Sequence, residues 1–406
     1  MNVLRTRLGL PGFRPGQRET VEAVLAGRDA LAVLPTGGGK SLTYQVPPMV
    51  SGRCALVVSP LVALMHDQVG SARRRGVTAA LIESGMSEDA RADVLSRVRQ
   101  GRLELLYVSP EGLPRLARDM AGSGAFGLFA VDEAHCISQW GHDFRPDYRA
   151  LSAMRRALAP DAPVLAVTAT ATTRVEQDIV ESLEMSEPVI YRGTFYRPNL
   201  RLTAWRKDGV GDARRAVAAL LYAHEGEAAI VYRTSRAGTT ALAGWLRSRG
   251  VTAQPYHAGL EPGRRAEVQD AFLAGECRVV VATVAFGMGV DKPDVRLVVH
   301  ADLPGSLEAY AQEVGRAGRD GGDSDCVLLY SWRDVRSREA MIARGAPERR
   351  DVLRRALRET YRFAANAGCR HRTLCAHFGE TVCVPCGSCD ACGALSAGAL
   401  LRRGGW

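Results

Sequence analysis

The chain has 406 residues, 46% of them hydrophobic, and a formal net charge of +9 at pH 7. Such a length exceeds what one hydrophobic core usually serves, so we expect a globular protein of two or three domains, and the charge favours an anionic partner. The sequence has no apolar run of about 18 residues and starts without the apolar stretch of a signal peptide, which argues against a membrane or secreted protein and for a cytosolic one.

The first predicted unit alternates short apolar runs with helical patterns. Continuous apolar runs separated by helices indicate parallel strands that are buried on both faces. The predicted strands are residues 30–34, 54–59, 103–109, 127–132 and 163–168. Residues 1–195 are therefore predicted to form one doubly wound α/β lobe.

A second strand series and a helical segment follow. The predicted strands are residues 228–232, 278–283, 295–300 and 326–330. We expect residues 196–332 to form a second α/β lobe, separated from the first by a cleft, and residues 333–406 to form a small helical module. Residues 349–363 are predicted to be a helix. Its expected apolar face consists of Val352, Leu353, Ala356, Leu357 and Tyr361.

The stretch LPTGGGKS (34–41) follows a predicted strand and opens a helix, which is the setting of a phosphate-binding loop. Glycines let main-chain N–H groups curl around phosphate oxygens without Cβ clashes. Lys40, one of three lysines in the chain, places a compact charge between the outer phosphates, and Ser41 offers its hydroxyl to Mg²⁺. The strict pattern has Gly at position 34, where this chain has Leu34. The predicted nucleotide contacts of the loop are Thr36, Gly37, Gly38, Gly39, Lys40 and Ser41.

Two acids stand at the end of the strand predicted at 127–132. There Asp132 can hold Mg²⁺ or its waters, and Glu133 can polarise the water that attacks a terminal phosphate. Acids are common at strand ends, so this pair indicates a metal–phosphate site only in combination with the phosphate-binding loop. The two motifs together predict an NTPase.

Two arginines, Arg316 and Arg319, follow a predicted helix of the second lobe in the sequence QEVGRAGRDG (312–321). An arginine supplied across a cleft to a γ-phosphate contributes about 10³–10⁵ in rate and makes hydrolysis depend on closure of the lobes. The alternative is a solvated basic helix end, which is common in a chain with many arginines.

Six of the ten cysteines lie between residues 369 and 392, which indicates a metal site rather than disulfides in a cytosolic chain. The spacing in CVPCGSCDAC presents three thiolates on tight turns, at Cys386, Cys389 and Cys392. A fourth thiolate from upstream completes the tetrahedral ligand set of Zn²⁺. Cys369 is one candidate, Cys375 or Cys383 can replace a ligand, and an iron–sulfur cluster is the alternative.

Seven segments, in one order along the chain, closely resemble the RecQ family of superfamily-two DNA helicases. The resemblance covers residues 9–392, and its aromatic segment is specific to that family. It implies two RecA-like lobes that hydrolyse ATP with Mg²⁺ and step 3′→5′ along single-stranded DNA, followed by a Zn²⁺ module with Cys369 as its first ligand. The segments are PTGGGKS, DEAHCISQWGHDFRPDY (132–148), TATAT (168–172), FYRPNL (195–200), YHAGL (256–260), ATVAFGMGVDKPDVR (282–296) and QEVGRAGRDG.

The resemblance also implies roles for the residues that follow the two acids. They are similar to an aromatic-rich loop that senses DNA and relays its presence to the ATP site. Trp140 and Phe144 then stack on bases in a sequence-tolerant way, whereas His142 and Arg145 serve phosphate or interlobe contacts. His135 resembles an interlobe coupling residue. The alternative for Trp140 is packing between the lobes.

Residues 12–17 (GFRPGQ) resemble an adenine-recognition motif, in which Gln17 reads the base edge with Arg14 nearby. Leu10 stands where relatives usually have an aromatic residue over the adenine, and Asp291 stands where Asn is common. Since the sequence stops at 406, we expect the protein to lack the winged-helix and HRDC domains that many members of the resembled family carry. We therefore expect the arginine-rich stretch 349–372 to grip duplex DNA in their place, the alternative being a solvated helix face.

The expected function is an ATP-dependent DNA helicase of repair and recombination, located in the cytoplasm at the bacterial nucleoid. Its expected partners are single-stranded DNA, tailed or forked duplex DNA and a single-stranded-DNA-binding protein, and the expected oligomeric state is a monomer. Two alternatives remain open: an RNA remodeller, and a zinc-stabilised DNA-binding protein whose ATP cycle gates attachment without strand separation.

Overall fold

The computed structural model describes residues 2–141, 143–209, 212–287 and 291–393. His142 of the predicted aromatic loop and residues 394–406 lie outside these ranges. The chain divides into two compact units, residues 1–194 and 195–406. No helix in the described ranges is both long enough and apolar enough to cross a bilayer.

The first unit is built on a sheet of seven parallel strands in the order β3-β4-β2-β5-β6-β1-β7. Its strands are β1 Ala30–Val33, β2 Cys54–Val58, β3 Ala79–Ile82, β4 Leu105–Val108, β5 Phe126–Val131, β6 Val164–Thr168 and β7 Val189–Arg192. Its helices are α1 Asn2–Leu8, α2 Gln17–Leu25, α3 Lys40–Ser51, α4 Val62–Arg74, α5 Glu88–Arg99, α6 Leu113–Met120, α7 Leu151–Leu158 and α8 Thr173–Ser182.

The second unit has a sheet of six parallel strands in the order β10-β11-β9-β12-β13-β8. Its strands are β8 Leu200–Arg206, β9 Ala228–Tyr232, β10 Ala253–Tyr256, β11 Val279–Ala282, β12 Val295–His300 and β13 Ser324–Tyr330. Its helices are α9 Ala213–Ala223, α10 Arg236–Arg247, α11 Pro262–Ala274, α12 Leu307–Val314, α13 Trp332–Ile342, α14 Arg350–Ala365 and α15 Arg370–His377.

The central strands of both sheets are almost entirely buried, because helices cover both faces of a parallel sheet. Their sequences are accordingly almost continuous runs of Val, Leu, Ile and Ala. The two sheets confirm the predicted α/β class. Since the carboxyl ends of parallel strands meet at one edge of a sheet, the loops after β1, β5 and β6 lie at the same edge of the first unit.

The C-terminal segment packs against β8, the strand at one edge of the second sheet. The main-chain N–H of Leu202 donates to the carbonyl of Ser388 over 3.1 Å, and that of Ala204 donates to Asp390 Oδ2 over 3.0 Å. Phe195, shortly before β8, stacks on Phe378 with ring centres 4.1 Å apart. The cysteine-rich segment therefore continues the second unit and covers a strand edge.

The helix predicted at 349–363 is α14, and its fully buried residues lie on the predicted side but nearer its C-terminal end. Of the five predicted residues only Leu357 is buried, together with Thr360, Phe363 and Ala364. The other four predicted residues are half-buried, so full burial is concentrated in the C-terminal half of α14. The helix packs against α12, α13 and α15.

The basic surface expected over residues 349–372 is smaller than predicted. Arg370 is buried and donates to Asp390 Oδ1 over 2.8 Å and to the carbonyl of Phe363 over 2.6 Å. Arg358 pairs with Glu339 of α13 over 2.9 Å. Both guanidinium groups therefore hold the module together, which the sequence pattern alone did not indicate.

Candidate functional site

The phosphate-binding loop links β1 to α3, which begins at Lys40. Gly37 and Gly39 have positive φ angles of 84° and 75°, a backbone conformation that favours glycine. A Cβ at Gly39 would also stand 2.4 Å from the side-chain nitrogen of Gln17. Lys40 and Ser41 lie in the first turn of α3, where the free N–H groups and the helix dipole favour an anion. Thr36 and Gly38 lie on the same half-buried loop.

Gln17 and Arg14 lie against this loop. Gln17 Nε2 donates to the carbonyls of Gly38 and Gly39, each over 3.0 Å, and Gln17 Oε1 accepts from the main-chain N–H of Arg14 over 2.8 Å. The Arg14 guanidinium donates to the carbonyl of Gly37. Gln17 is 2% exposed, so its amide fixes the shape of the loop. The resemblance implied base reading for Gln17 and gave no indication of this bracing.

Asp132 and Glu133 follow β5 at the same edge of the sheet. Asp132 is 4% exposed, and its Oδ1 accepts from the main-chain N–H of Glu133 over 3.0 Å. Burial, and then the Glu133 carboxylate, raise the pKa of Asp132 to about 7, against the opposing charge of Lys40. Two acids and one ammonium group thus meet in a poorly hydrated place, where a divalent cation would be strongly attracted.

Glu133 has a left-handed backbone conformation, with φ 47° and ψ 47°. Such a conformation is uncommon for a residue other than glycine and is strained, which is frequent at functional sites. Glu133 Oε2 lies 3.3 Å from Nδ1 of His135, and the same nitrogen lies 3.0 Å from Oγ1 of Thr168, the last residue of β6. His135 therefore links the acids to the TATAT segment, in which the sequence named no side chain.

The aromatic residues after the acids occupy three different environments. Trp140 is 39% exposed, Phe144 is half-buried with the Arg149 guanidinium 5.1 Å from its ring centre, and Tyr148 is fully buried. Arg145 donates from its guanidinium to the carbonyl of Pro60 over 2.7 Å. The segment is therefore anchored at its end and presents the ring of Trp140 outward.

Three contacts of this segment were not foreseen from the sequence. The Tyr148 hydroxyl donates to the main-chain carbonyl of Asp132 over 3.2 Å. Ser138 Oγ donates to Asp178 of α8 over 2.5 Å, and the Arg174 guanidinium carbon lies 3.3 Å from the centre of the Trp140 ring. The sequence did contain a signal for the Tyr148 contact, because the hydroxyl of a buried tyrosine usually finds a hydrogen-bond partner.

Arg316 and Arg319 lie just after α12 in the second unit. Arg316 is buried, and Arg319 pairs with Asp291 over 2.6 Å. The Asp291 carboxylate thus orients Arg319. The carbonyls of Ala317 and Gly318 accept from the guanidinium of Arg197, which fixes the loop that carries both arginines.

The thiols of Cys369, Cys386, Cys389 and Cys392 all lie within 4.8 Å of one another. The sulfur atoms of Cys369 and Cys389 are 3.9 Å apart. A tetrahedral site with Zn–S bonds of about 2.3 Å has an edge of about 3.8 Å, so the group fits one Zn²⁺ ion. An iron–sulfur cluster needs its cysteines spread farther apart, because they bind two or four different iron atoms. Cys375 and Cys383 do not belong to this group among the described residues.

Three family models match consecutive parts of the chain. They are described as DEAD/DEAH box helicase at residues 14–179, helicase conserved C-terminal domain at residues 212–321 and RecQ zinc-binding at residues 332–393. These segments contain, in turn, strands β1 to β6 with the phosphate-binding loop, strands β9 to β12, and the four cysteines. The models and the four-cysteine group thus support the predicted cofactors, ATP with Mg²⁺ and Zn²⁺.

Solved structures share the fold at low sequence identity. The helicase MrfA bound to DNA has a TM-score of 0.67 and 19% identity, over 95% of this chain and 59% of that chain. Mycobacterium smegmatis helicase Lhr bound to single-stranded DNA and AMP-PNP has a TM-score of 0.63 and 19% identity, over 93% of this chain and 55% of that one. The RecA-like form of the two α/β units is confirmed by this likeness.

Relatives of known name are much closer in sequence. The ATP-dependent DNA helicase RecQ of Pasteurella multocida is 40% identical over 97% of this chain and 62% of its own length, and that of Haemophilus influenzae is 40% identical over 97% and 63%. The ATP-dependent helicase SGS1 of Saccharomyces cerevisiae is 39% identical over 91% of this chain and 26% of its own length. This chain spans less than two thirds of the length of each. Because bacterial RecQ proteins align with nearly all of it and a RecQ zinc-binding segment follows both helicase segments, the chain belongs to the RecQ family.

Proposed function

We propose that this chain is an ATP-dependent DNA helicase, which moves 3′→5′ along single-stranded DNA and unwinds duplex DNA in repair and recombination. The observation that carries the proposal is the direct connection between the aromatic segment and the two acids. Tyr148 donates to the carbonyl of Asp132, and His135 lies 3.3 Å from Glu133. A change in the conformation of the aromatic segment when DNA binds would therefore be transmitted to the groups proposed to act on ATP.

The phosphate-binding loop is proposed to hold the nucleotide. The N–H groups of residues 37–41 would donate to phosphate oxygens, and Lys40 would neutralise charge between the β- and γ-phosphates. Ser41 and Asp132 would hold Mg²⁺, which supplies charge neutralisation at the phosphates when bound. The buried position of Asp132 supports this role, because a paired cation offsets the cost of an ionised buried carboxylate.

Glu133 is proposed to accept a hydrogen bond, and then the proton, from the attacking water. Its strained backbone and its contact with His135 restrict where the carboxylate can point. Arg316 and Arg319 are proposed to stabilise the charge that develops on the γ-phosphate when the two lobes close. The pairing of Arg319 with Asp291 supports this by holding one guanidinium in a defined orientation.

The aromatic segment is proposed to contact the DNA. The exposed ring of Trp140 supports base stacking. Phe144 and Arg145 are more buried, and they would transmit the movement of the segment that follows stacking. The positive net charge supports an anionic partner. The names of the bacterial relatives support DNA over RNA.

We propose that residues 1–195, 196–332 and 333–406 act as first lobe, second lobe and zinc module, and that the protein works as a monomer in the bacterial cytoplasm at the nucleoid. Tailed or forked duplexes are the proposed substrates, and a single-stranded-DNA-binding protein is the proposed partner. The exposed arginines of α14, such as Arg355, would contribute salt-sensitive contacts to the duplex.

A strand-separation assay tests this function. The purified chain is mixed with ATP and with 3′-tailed, 5′-tailed, blunt and forked duplexes, and ATP hydrolysis is followed in parallel with DNA or RNA single strands. We expect unwinding of the 3′-tailed and forked duplexes and stimulation by DNA. Stimulated hydrolysis with no unwinding at low salt would instead identify an ATPase that binds or remodels nucleic acid, and stronger stimulation by RNA would identify an RNA remodeller.

A further inference from the structure

The exposed ring of Trp140 is covered on one face by an arginine. The guanidinium carbon of Arg174 lies 3.3 Å from the ring centre, a distance typical of a face-on stack. Arg174 belongs to the first turn of α8, directly after the TATAT segment, whose Thr172 caps the helix by accepting from the N–H of Val175. The cation therefore occupies a surface on which a base would stack.

The same side of α8 holds the aromatic segment at a second point. Asp178 lies four residues after Arg174 and so faces the same direction on the helix. It accepts from Ser138 Oγ, and that oxygen in turn accepts from the main-chain N–H of Trp140 over 3.2 Å. The backbone of Trp140 is thus fixed to α8 independently of its ring. The Arg174 side chain can leave the ring while the segment stays anchored.

Within the described part of the chain, the charge of Arg174 is stabilised neither by the helix dipole nor by a carboxylate. A cation in the first turn of a helix is disfavoured by the helix dipole. Among the described residues no carboxylate lies within 4 Å of its guanidinium, whereas many other arginines of this chain form such pairs. Arg174 is exposed. It is therefore an exposed cation whose observed contact is the Trp140 ring.

We propose that Arg174 is a nucleic-acid-binding residue that exchanges partners when DNA loads. Without DNA it stacks on Trp140; with DNA it yields that ring face to a base and pairs with a phosphate of the same strand. An exposed cation–π contact is weaker than base–aromatic stacking, and a charge-assisted guanidinium–phosphate bond replaces it, so the exchange favours the bound state. The inference rests on the proposed function, because there Trp140 is the base-stacking residue.

The salt dependence of binding separates this role from a structural one. The affinity of labelled oligo-dT is measured across a series of NaCl concentrations for the wild type, Arg174→Gln, Arg174→Lys and, as a control, Arg115→Gln. Arg115 is an exposed arginine that pairs with Glu88 elsewhere on the first unit. One lost phosphate contact makes the slope of log K against log[NaCl] shallower by about 0.7 on a single strand.

We expect that loss for Arg174→Gln, with several-fold weaker binding at low salt, whereas Arg174→Lys and Arg115→Gln keep the wild-type slope. A wild-type slope in Arg174→Gln, or an equal loss in Arg174→Lys, would overturn the proposal. Indole emission, taken as the difference from Trp140→Phe, should change in DNA-free Arg174→Gln because the guanidinium leaves the ring. An unchanged emission also contradicts it. If the wild type itself does not bind oligo-dT, the proposed function fails. If the wild type binds oligo-dT and its ATP hydrolysis is stimulated, but Arg174→Gln shows the same salt dependence of binding, only the inference about Arg174 fails.

Discussion

The hydroxyl of Tyr148 donates a hydrogen bond to the main-chain carbonyl of Asp132, 16 residues earlier, over 3.2 Å. One end of the aromatic segment is thereby fixed to the strand end that carries both acids. The ring is fully buried, so water cannot replace the contact at low cost. The position of the Asp132 carboxylate consequently depends on the path of the whole segment.

We expect Tyr148→Phe to uncouple DNA binding from hydrolysis. The ring still fills its pocket, so stability should fall by only about 1 kcal/mol, but the carbonyl of Asp132 loses its donor. Stimulation of ATP hydrolysis by oligo-dT should fall several-fold, whereas affinity for oligo-dT should change little. Tyr222→Phe is the matched control, since the Tyr222 hydroxyl also donates to a main-chain carbonyl, that of Arg249, in the other unit. Equal stimulation in both variants would exclude the coupling.

We expect Lys40→Ala and Asp132→Asn each to abolish ATP hydrolysis without unfolding the protein. Lys40 is proposed to neutralise phosphate charge, and Asp132 to hold Mg²⁺. The Asp132→Asn variant should melt no lower than the wild type, because burial and Glu133 already raise the pKa of that carboxyl to about 7 and its ionised form is costly to bury. Turnover near the wild-type rate in either variant would refute these assignments, and circular dichroism would verify the fold.

We expect about one zinc ion per chain, lost on Ser substitution of Cys369, Cys386, Cys389 or Cys392. A structural zinc site couples metal binding to folding, so these variants should be protease-sensitive or insoluble. Cys383→Ser is the control: this thiol is exposed and outside the four-cysteine group, so zinc content and protease resistance should be unchanged. Iron and sulfide in elemental analysis, or zinc loss in the control, would contradict the ligand set.

Stability should also depend on pH through His377, which lies 2.8 Å from Glu308 and 2.9 Å from Glu359. Burial lowers the pKa of His377, but these two carboxylates raise it to about 9, above its ordinary value of 6.5. The protonated form therefore stabilises the fold fully below about pH 6.5, and this contribution is lost as the pH rises through 9.

Urea unfolding of the wild type and His377→Gln at several pH values measures that contribution. The difference should be on the order of 1–3 kcal/mol at pH about 6 and should shrink toward pH about 9. His66→Gln is the control, because the His66–Glu83 pair is exposed and an exposed pair contributes little. A pH-independent difference for His377→Gln would mean that packing, not charge, is lost.

The sequence predicted the strands and site groups whose signals are local. Central strands of a parallel sheet are continuous apolar runs, and Lys40, Asp132 and three of the four cysteines lie in short motifs with defined spacing, whereas Cys369 was assigned through the family resemblance. The strand β10 escaped prediction because Pro255 is unusual in strands and is tolerated at a sheet edge. The strand β7 is only partly buried, so it lacks a continuous apolar pattern.

The contacts that organise the site could not be predicted, because they join residues distant in sequence. Gln17 braces the phosphate-binding loop, Thr168 meets His135, and Arg174 covers Trp140. Each depends on how separate loops turn at the carboxyl edge of the sheet. The extent of burial on α14 has a similar cause, since the neighbouring helices decide which turns of its apolar side are fully covered.

The strand β8 lies at one edge of its sheet, and the zinc segment forms hydrogen bonds to its outer side. The segment's Ser388 carbonyl and Asp390 carboxylate accept the N–H groups of Leu202 and Ala204 on the outer side of the strand. Without the metal these donors would be uncovered, and an open strand edge is a template on which another chain can add its own strand. Chains deprived of zinc should therefore associate through their second units, as concentration-dependent oligomers rich in intermolecular β-structure, while their nucleotide-binding units are still folded. The supply of metal during synthesis would then determine how much of the protein escapes aggregation.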